Sequence, residues 1–391
     1  MGRAAIHQAG FTAAVLGALV AATLVACSSN GGDLGPPSSV GACTSAPPFT
    51  VTPVAISDIQ WVGPLGNLSP SGHVFPSNHT GIQTQFNPGA GTTVAPVVAP
   101  GNITIVQMVS QTSVRGTTTF HDYSMTFYPC SNMMMYFGHV SSLSASLTSQ
   151  VGDFGSCDPT YVTGGVTVTL CRKDVNISLA AGETIGTLGG ANEGAMDFGG
   201  SDTRTPALGY ADPNRFPGSG DNSQQLHVIC PIDYFTPAVR DQLRLHFGGG
   251  RTNSQRTVEP LCGAVMQDVP GAAQGRWFFD NTDLEDHHLA LVHDQINPGM
   301  PVFSVGTSIA TLPTNVYYFT AATTGRVNLD FNHVTSDGNI YCYEWTQPTP
   351  TRVLLQLTTS THLKIEASTA PSGCGDPVTW AFSAAVTEFD R

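Results

Sequence analysis

The chain's capacity for metal or proton chemistry lies in twelve histidines, 28 acidic side chains and nine cysteines among 391 residues. Their densest gathering is the run Asp286, His287, His288, Leu289, Ala290, Leu291, Val292, His293, Asp294, whose alternation reads as a β-strand. On a strand His287 and His293 share a face but lie about 20 Å apart at roughly 3.3 Å per residue. That is too far for one ion, which leaves only His287 with an adjacent carboxylate. No HExxH, GxSxG or P-loop occurs, and no cysteine pair has the CxxC spacing of a zinc ribbon. The Asp-Phe-Gly triplets at Asp153 and Asp197 stand without any other kinase motif.

Cysteine usage points to an oxidising compartment. Cys27 follows Leu24, Val25 and Ala26 at the end of an uncharged apolar run from Phe11, with Arg3 ahead of it. This is the pattern of a lipoprotein export signal, cleaved before Cys27, which then carries lipid. Eight cysteines remain, an even number that reads as disulfides. Proximity in sequence pairs Cys157 with Cys171 and Cys342 with Cys374; the pairing of the rest stays open.

The elements that must position any site are strands. Strong helix formers are scarce, while Gly, Pro, Thr, Ser and Val dominate, a mixture suited to strands joined by many turns. Residues 1–26 read as signal peptide and 27–55 as the lipidated cysteine with a flexible Gly/Ser/Pro tether. A β domain is expected over 56–250, including runs at Val94–Val98, Ile103–Val109 and Tyr123–Tyr128. It holds one short helix, with Thr236 as N-cap, Pro237 at the first position, Val239, Leu243 and Phe247 on one face, and Gly248 as the stop. A second β-sandwich is expected over 251–391, from runs at Asn315–Phe319, Arg326–Phe331, Ile340–Tyr343, Val353–Leu357, Leu363–Glu366 and Thr379–Phe382, with Asp337-Gly338 as a hairpin turn. The fold class is all-β. Only 11 % of residues are charged and the net charge is −13, which speaks against nucleic acid as a partner.

Several segments recur in a telling order. His79-Thr-Gly-Ile-Gln83 is followed by Gly91-Thr-Thr-Val-Ala-Pro, then by Tyr136-Phe-Gly-His139-Val-Ser-Ser, then by Ala180-Ala-Gly-Glu-Thr-Ile-Gly-Thr-Leu-Gly-Gly, and finally by Ala195-Met-Asp197-Phe. The series resembles the LytM or lysostaphin-type zinc endopeptidases, over roughly residues 72 to 200. In that family HxGxD supplies a histidine and an aspartate ligand, YGHLS a proton-handling histidine, and HxH a second proton-handling histidine and the third ligand. The resemblance therefore places ligands at His79, Gln83 and Asp197 and proton handling at His139 and Ala195. Gln83 offers a neutral amide where a carboxylate should offset the metal's charge. Ala195 offers nothing, and loss of one of two proton-handling groups costs about 10² to 10⁴ in rate.

What the resemblance implies is a degenerate LytM-like β-sandwich or barrel domain in a lipid-anchored envelope protein, with zinc weakly held or absent. The expected function is binding or regulation at the cell wall, without catalysis, at the outer membrane or cell surface. Partners would be the membrane through the lipid, and peptidoglycan or cell-wall hydrolases, which degenerate members of the family regulate. An active zinc hydrolase of peptidoglycan or peptides, using His79 and Asp197, is the alternative. A structural or carbohydrate-binding envelope protein is a third, with Trp277, Trp345 and Trp380 available for stacking, although core roles suit them better.

Overall fold

The structure is a computed structural model, and it describes residues 35–70, 72–87, 91–163, 166–190, 194–213, 222–280, 285–345, 352–369 and 373–391. The export signal, the lipobox and Cys27 lie outside these residues. The chain is all-β, with antiparallel sheets and three short helices among the described residues. None of those helices is long and apolar enough to cross a membrane.

In the N-terminal body, β1 (Ile59–Gly63), β2 (His79–Thr84), β3 (Phe86–Asn87), β4 (Gly91–Val98), β5 (Ile103–Arg115), β6 (Thr118–Cys130), β7 (Met133–Val140) and β8 (Ser142–Leu143) come first. They are followed by α1 (Ala145–Val151), β9 (Ser156–Cys157), β10 (Tyr161–Thr163), β11 (Val166–Leu179), β12 (Thr184–Gly190) and β13 (Ala195–Asp202). A large sheet runs β1-β2-β13-β7-β6-β5-β11-β10 with β9 beside β11, and a smaller one runs β3-β4-β12-β8. Period-two alternation makes the core between them: Ile82, Met196, Phe198 and Phe137 from the large sheet meet Ala95, Val97, Ile185 and Leu188 from the small one. The alternate residues of β2 and β13, His79 and Asp197 among them, face the other way.

The stretch expected as a tether is held from Cys43 onward. Cys43 is bonded to Cys130, and Phe49 is fully buried, flanked by the rings of Phe198 and Phe235. A single large aromatic and a cross-link anchor a segment that has no periodicity to reveal its burial. The structure also joins Cys157 to Cys171, Cys230 to Cys262 and Cys342 to Cys374.

Beyond β13 come α2 (Asn222–Leu226) and α3 (Pro237–Arg244). Helix α3 begins after Thr236 with Pro237 at its first position and ends a turn earlier than its apolar spacing suggested. Leu243 is buried from the helix, whereas Phe247 is buried from the turn after it. Helix α1 was not foreseen, although its signals are local: Ser144 caps Leu147 N at 3.1 Å, and Gly152 stops it at a φ of 62°. A hairpin, β14 (Gly248–Gly249) with β15 (Ser254–Gln255), straddles the boundary expected at 250/251. Core membership changes over between Cys262 and Ala273.

The C-terminal body pairs a sheet of β16 (Gly275–Trp277), β17 (Leu289–His293), β18 (Pro301–Val305) and β19 (Asn315–Tyr318) with one of β20 (Tyr341–Glu344), β21 (Arg352–Thr359), β22 (His362–Ser368) and β23 (Thr387–Asp390). One aromatic-rich core is filled from both, as in a sandwich. Two expected strands are not strands. Arg326–Phe331 is irregular, with Asn328 at a φ of 52°, so Asp337-Gly338 makes a turn but not a hairpin between strands. Thr379–Phe382 follows a 3-10 turn, Pro377–Thr379, capped by Asp376, and there the Cys342–Cys374 bond and the stacking of Arg326 on Trp380 replace ladder pairing.

The two bodies meet through the 64–78 strap that joins β1 to β2. Phe75 from this strap is buried against Phe278, Ala290, Val292 and Val302 of the C-terminal sheet. Its backbone N–H donates to Glu285 Oε1 at 2.9 Å, and the Arg276 guanidinium lies 5.0 Å from its ring centre.

Candidate functional site

Three neighbouring strands gather the residues. In the β2/β13 ladder Gly81 pairs with Asp197 and His79 with Gly199, so His79 and Asp197 are diagonal neighbours on one face. Both are buried. Strand β7 lies on the other side of β13, with Gly138 opposite Asp197. In regular pleating His139 would point away from that face. It is turned back by an extra residue in β7: the β6/β7 register runs from Tyr123 with Val140 to Met125 with Phe137, and His139 has a φ of 61°. A bulge of this kind re-aims a side chain at some backbone cost.

The glycines around Asp197 clear the space. A Cβ on Gly138 would lie 3.1 Å from Asp197 Oδ2, and one on Gly199 would lie 2.4 Å from the hydroxyl of Tyr136. Tyr136 fills that gap and donates to Asn78 Oδ1 at 2.8 Å.

Asp197 is the centre. Its Oδ1 is 3.2 Å from Nδ1 of His79, and its Oδ2 is 3.5 Å from Nε2 of His139. Nδ1 of His139 in turn lies 3.5 Å from Oδ2 of Asp122 on β6. Burial pushes the Asp197 carboxyl up, yet its electrostatic interaction with the imidazoles of His79, His139 and His73 outweighs it and holds the group below the usual carboxylate range.

His73, on the strap, is the residue that motif reasoning missed. Its Nε2 is 3.2 Å from Nε2 of His79. Desolvation, reinforced by the neighbouring His79, lowers His73 to about 4, so it is neutral at pH 7. The tautomers follow from the partners. Nδ1 of His79 faces only acceptors, Thr80 O at 3.4 Å and the Asp197 carboxylate. It therefore carries a proton, and across the Nε2 to Nε2 contact one ring donates and the other accepts. The only sequence signal for His73 is a histidine six residues ahead of His79, which no motif contains.

The structure thus brings together His79, Asp197 and His139, and leaves out Gln83 and Ala195. Strand β2 is continuous, so Gln83 lies about 13 Å along it from His79 at roughly 3.3 Å per residue, with its side chain exposed. Ala195 pairs with Gln83 and has no functional group. The ligand set expected for zinc, His79 with Gln83 and Asp197, does not fit one ion: Gln83 is remote, and His79 turns opposite ring nitrogens to Asp197 and to His73. Among the described residues no three His, Cys, Asp or Glu side chains are placed to hold one metal ion together.

The other candidates are absorbed by packing. His293 pairs with Asp330 at 3.2 Å, His288 accepts from Phe279 N at 3.1 Å and stacks on Phe75, and His287 lies 3.9 Å from Asp286. Only 289–293 of that segment is strand. Trp277, Trp345 and Trp380 are all buried, so they present no stacking surface. No known protein family matches the chain, and neither a curated protein nor a solved structure resembles it significantly.

Proposed function

We propose that this is a lipid-anchored cell-envelope protein whose N-terminal β body binds at the cell wall and does not cut. In this reading the body is a degenerate relative of the LytM-type zinc endopeptidases, tethered through Cys27, with peptidoglycan or a wall hydrolase as its partner. The four disulfides support an extracytoplasmic setting. One observation carries the reading: the β2/β13 register sets exposed Gln83 opposite Ala195, at the two positions where the resemblance requires an anionic ligand and a proton-handling histidine. Of the five positions that would activate water and protonate a leaving amine, only His79 and His139 keep the family's residue.

The test uses the purified full chain with its disulfides intact, zinc supplied, and isolated cell-wall sacculi. Co-sedimentation with sacculi and no release of amino groups is the expected result. Release that disappears in His139→Ala would overturn the reading in favour of a zinc hydrolase. That second reading is favoured by one feature, the convergence of His79, His139 and Asp197 about a buried carboxylate. For the anchor, Cys27→Ser should move the protein from the membrane to the soluble fraction; unchanged membrane association would remove the lipid from the account.

A further inference from the structure

We propose that His73 and His79 form a two-imidazole site for a divalent cation of zinc-like softness. The donor pair differs from the one expected of His79, Gln83 and Asp197, and the proposal stands independently of the wall-binding reading. Its ground is the Nε2 to Nε2 separation of 3.2 Å. Two nitrogens bound to one tetrahedral zinc at about 2.0–2.1 Å are themselves about 3.3 Å apart. The spacing that now holds a shared proton therefore also suits an ion between the rings.

The surroundings are arranged for such an exchange. His79 has its Nδ1–H directed at Thr80 O and the Asp197 carboxylate, the outer contacts that orient a ligating histidine and raise its basicity. Asp197 supplies negative charge behind the ring without competing for its lone pair. His73 is delivered by a strap fixed at several points: His73 N donates to Ser69 O at 2.7 Å, Ser77 N to Asn67 O at 3.0 Å, and Phe75 is locked against the C-terminal sheet. When the cation enters, the proton between the rings moves to Nδ1 of His73 where His73 is the donor, or to solvent where a doubly protonated His79 is, and each Nε2 gives its lone pair to the metal. With only two protein donors, the remaining positions stay open to water or to a ligand brought by a partner.

Zinc titration of the chelator-treated full chain, in competition with a chromophoric chelator and followed by the ring ¹⁵N resonances of the histidines, tests this. The expected result is saturable uptake of one equivalent that shifts the Nε2 signals of His73 and His79 and leaves those of His121 in place. His73→Gln, which keeps a polar side chain on the strap, should weaken uptake roughly tenfold or more, because loss of outer contacts alone costs about 10–100-fold. Gln83→Ala should leave it unchanged. Absence of saturable uptake, or uptake indifferent to His73→Gln, overturns the proposal, and neither result bears on whether the protein binds sacculi.

Discussion

The two bodies of this molecule hold similar chemical residues and use them in opposite ways. In the C-terminal sandwich His288, His293 and three tryptophans are consumed by packing and ion pairs. In the N-terminal body His79 and His139 converge on the carboxylate of Asp197, and His73 meets His79 from behind. Gly138 leaves room there for the Asp197 carboxylate, and Gly199 for the ring of Tyr136. The difference teaches that histidine density in sequence says little, whereas convergence from non-adjacent segments onto a buried charge is what makes a candidate site.

The sharpest way to break that comparison is at the core of each body. Trp277 is fully buried, and Trp277→Ala should destabilise the C-terminal sandwich by about 3–5 kcal/mol in denaturant melts. His73→Gln, which removes the partner of buried His79 Nε2 but opens no large cavity, should cost less, about 1–2 kcal/mol. Equal losses would mean that the histidine cluster is ordinary packing.

Removing the Cys342–Cys374 link with Cys342→Ser and Cys374→Ser should cost about 2–5 kcal/mol. The loss should be read by the C-terminal tryptophans and not by zinc uptake.

The seam offers a pH lever. Burial raises the Glu285 carboxyl from 4.5 to about 7, above its value in the unfolded chain. This contribution to stability is therefore complete below pH 4.5 and is lost as the pH rises through 7. Glu285→Gln keeps an acceptor for Phe75 N, so it should flatten the decline between pH 5 and 8 and stabilise the protein at pH 8, by at most about 3 kcal/mol. A variant that follows the parent's pH profile would place the titration elsewhere.

The smallest effects belong to the site itself. Gly138→Ala sets a Cβ 3.1 Å from Asp197 Oδ2, which should tilt the carboxylate behind His79 and weaken zinc uptake severalfold. Gln83→Asp should alter uptake by less than about twofold, because a charge about 13 Å down the strand is screened beyond a Debye length of roughly 8–10 Å. A clear gain in Gln83→Asp would restore Gln83 to the site.

Much was readable along the chain. Val94–Val98 lies within β4, and Ile103–Val109 and Tyr123–Tyr128 lie within longer strands, because β-branched runs between turn formers carry their own signal. Cys157 with Cys171 and Cys342 with Cys374 were legible from proximity alone. Arg326–Phe331 misled because Leu329 and Phe331 fill the sandwich core from an irregular stretch, with Asn328 at a φ of 52°, where burial needs no ladder pairing. Phe49 was invisible because burial of one residue has no period.

Amino-acid order by itself determined the all-β class and the short helix after Thr236, since both follow from local propensity and spacing; His79, His139 and Asp197 were singled out only by the resemblance. Tertiary structure decided which of them meet. A one-residue bulge turned His139 inward, strand continuity carried Gln83 away, and a strap held by the second body brought in His73. Those outcomes depend on ladder register and on contacts between residues far apart in the chain, which short-range patterns do not encode.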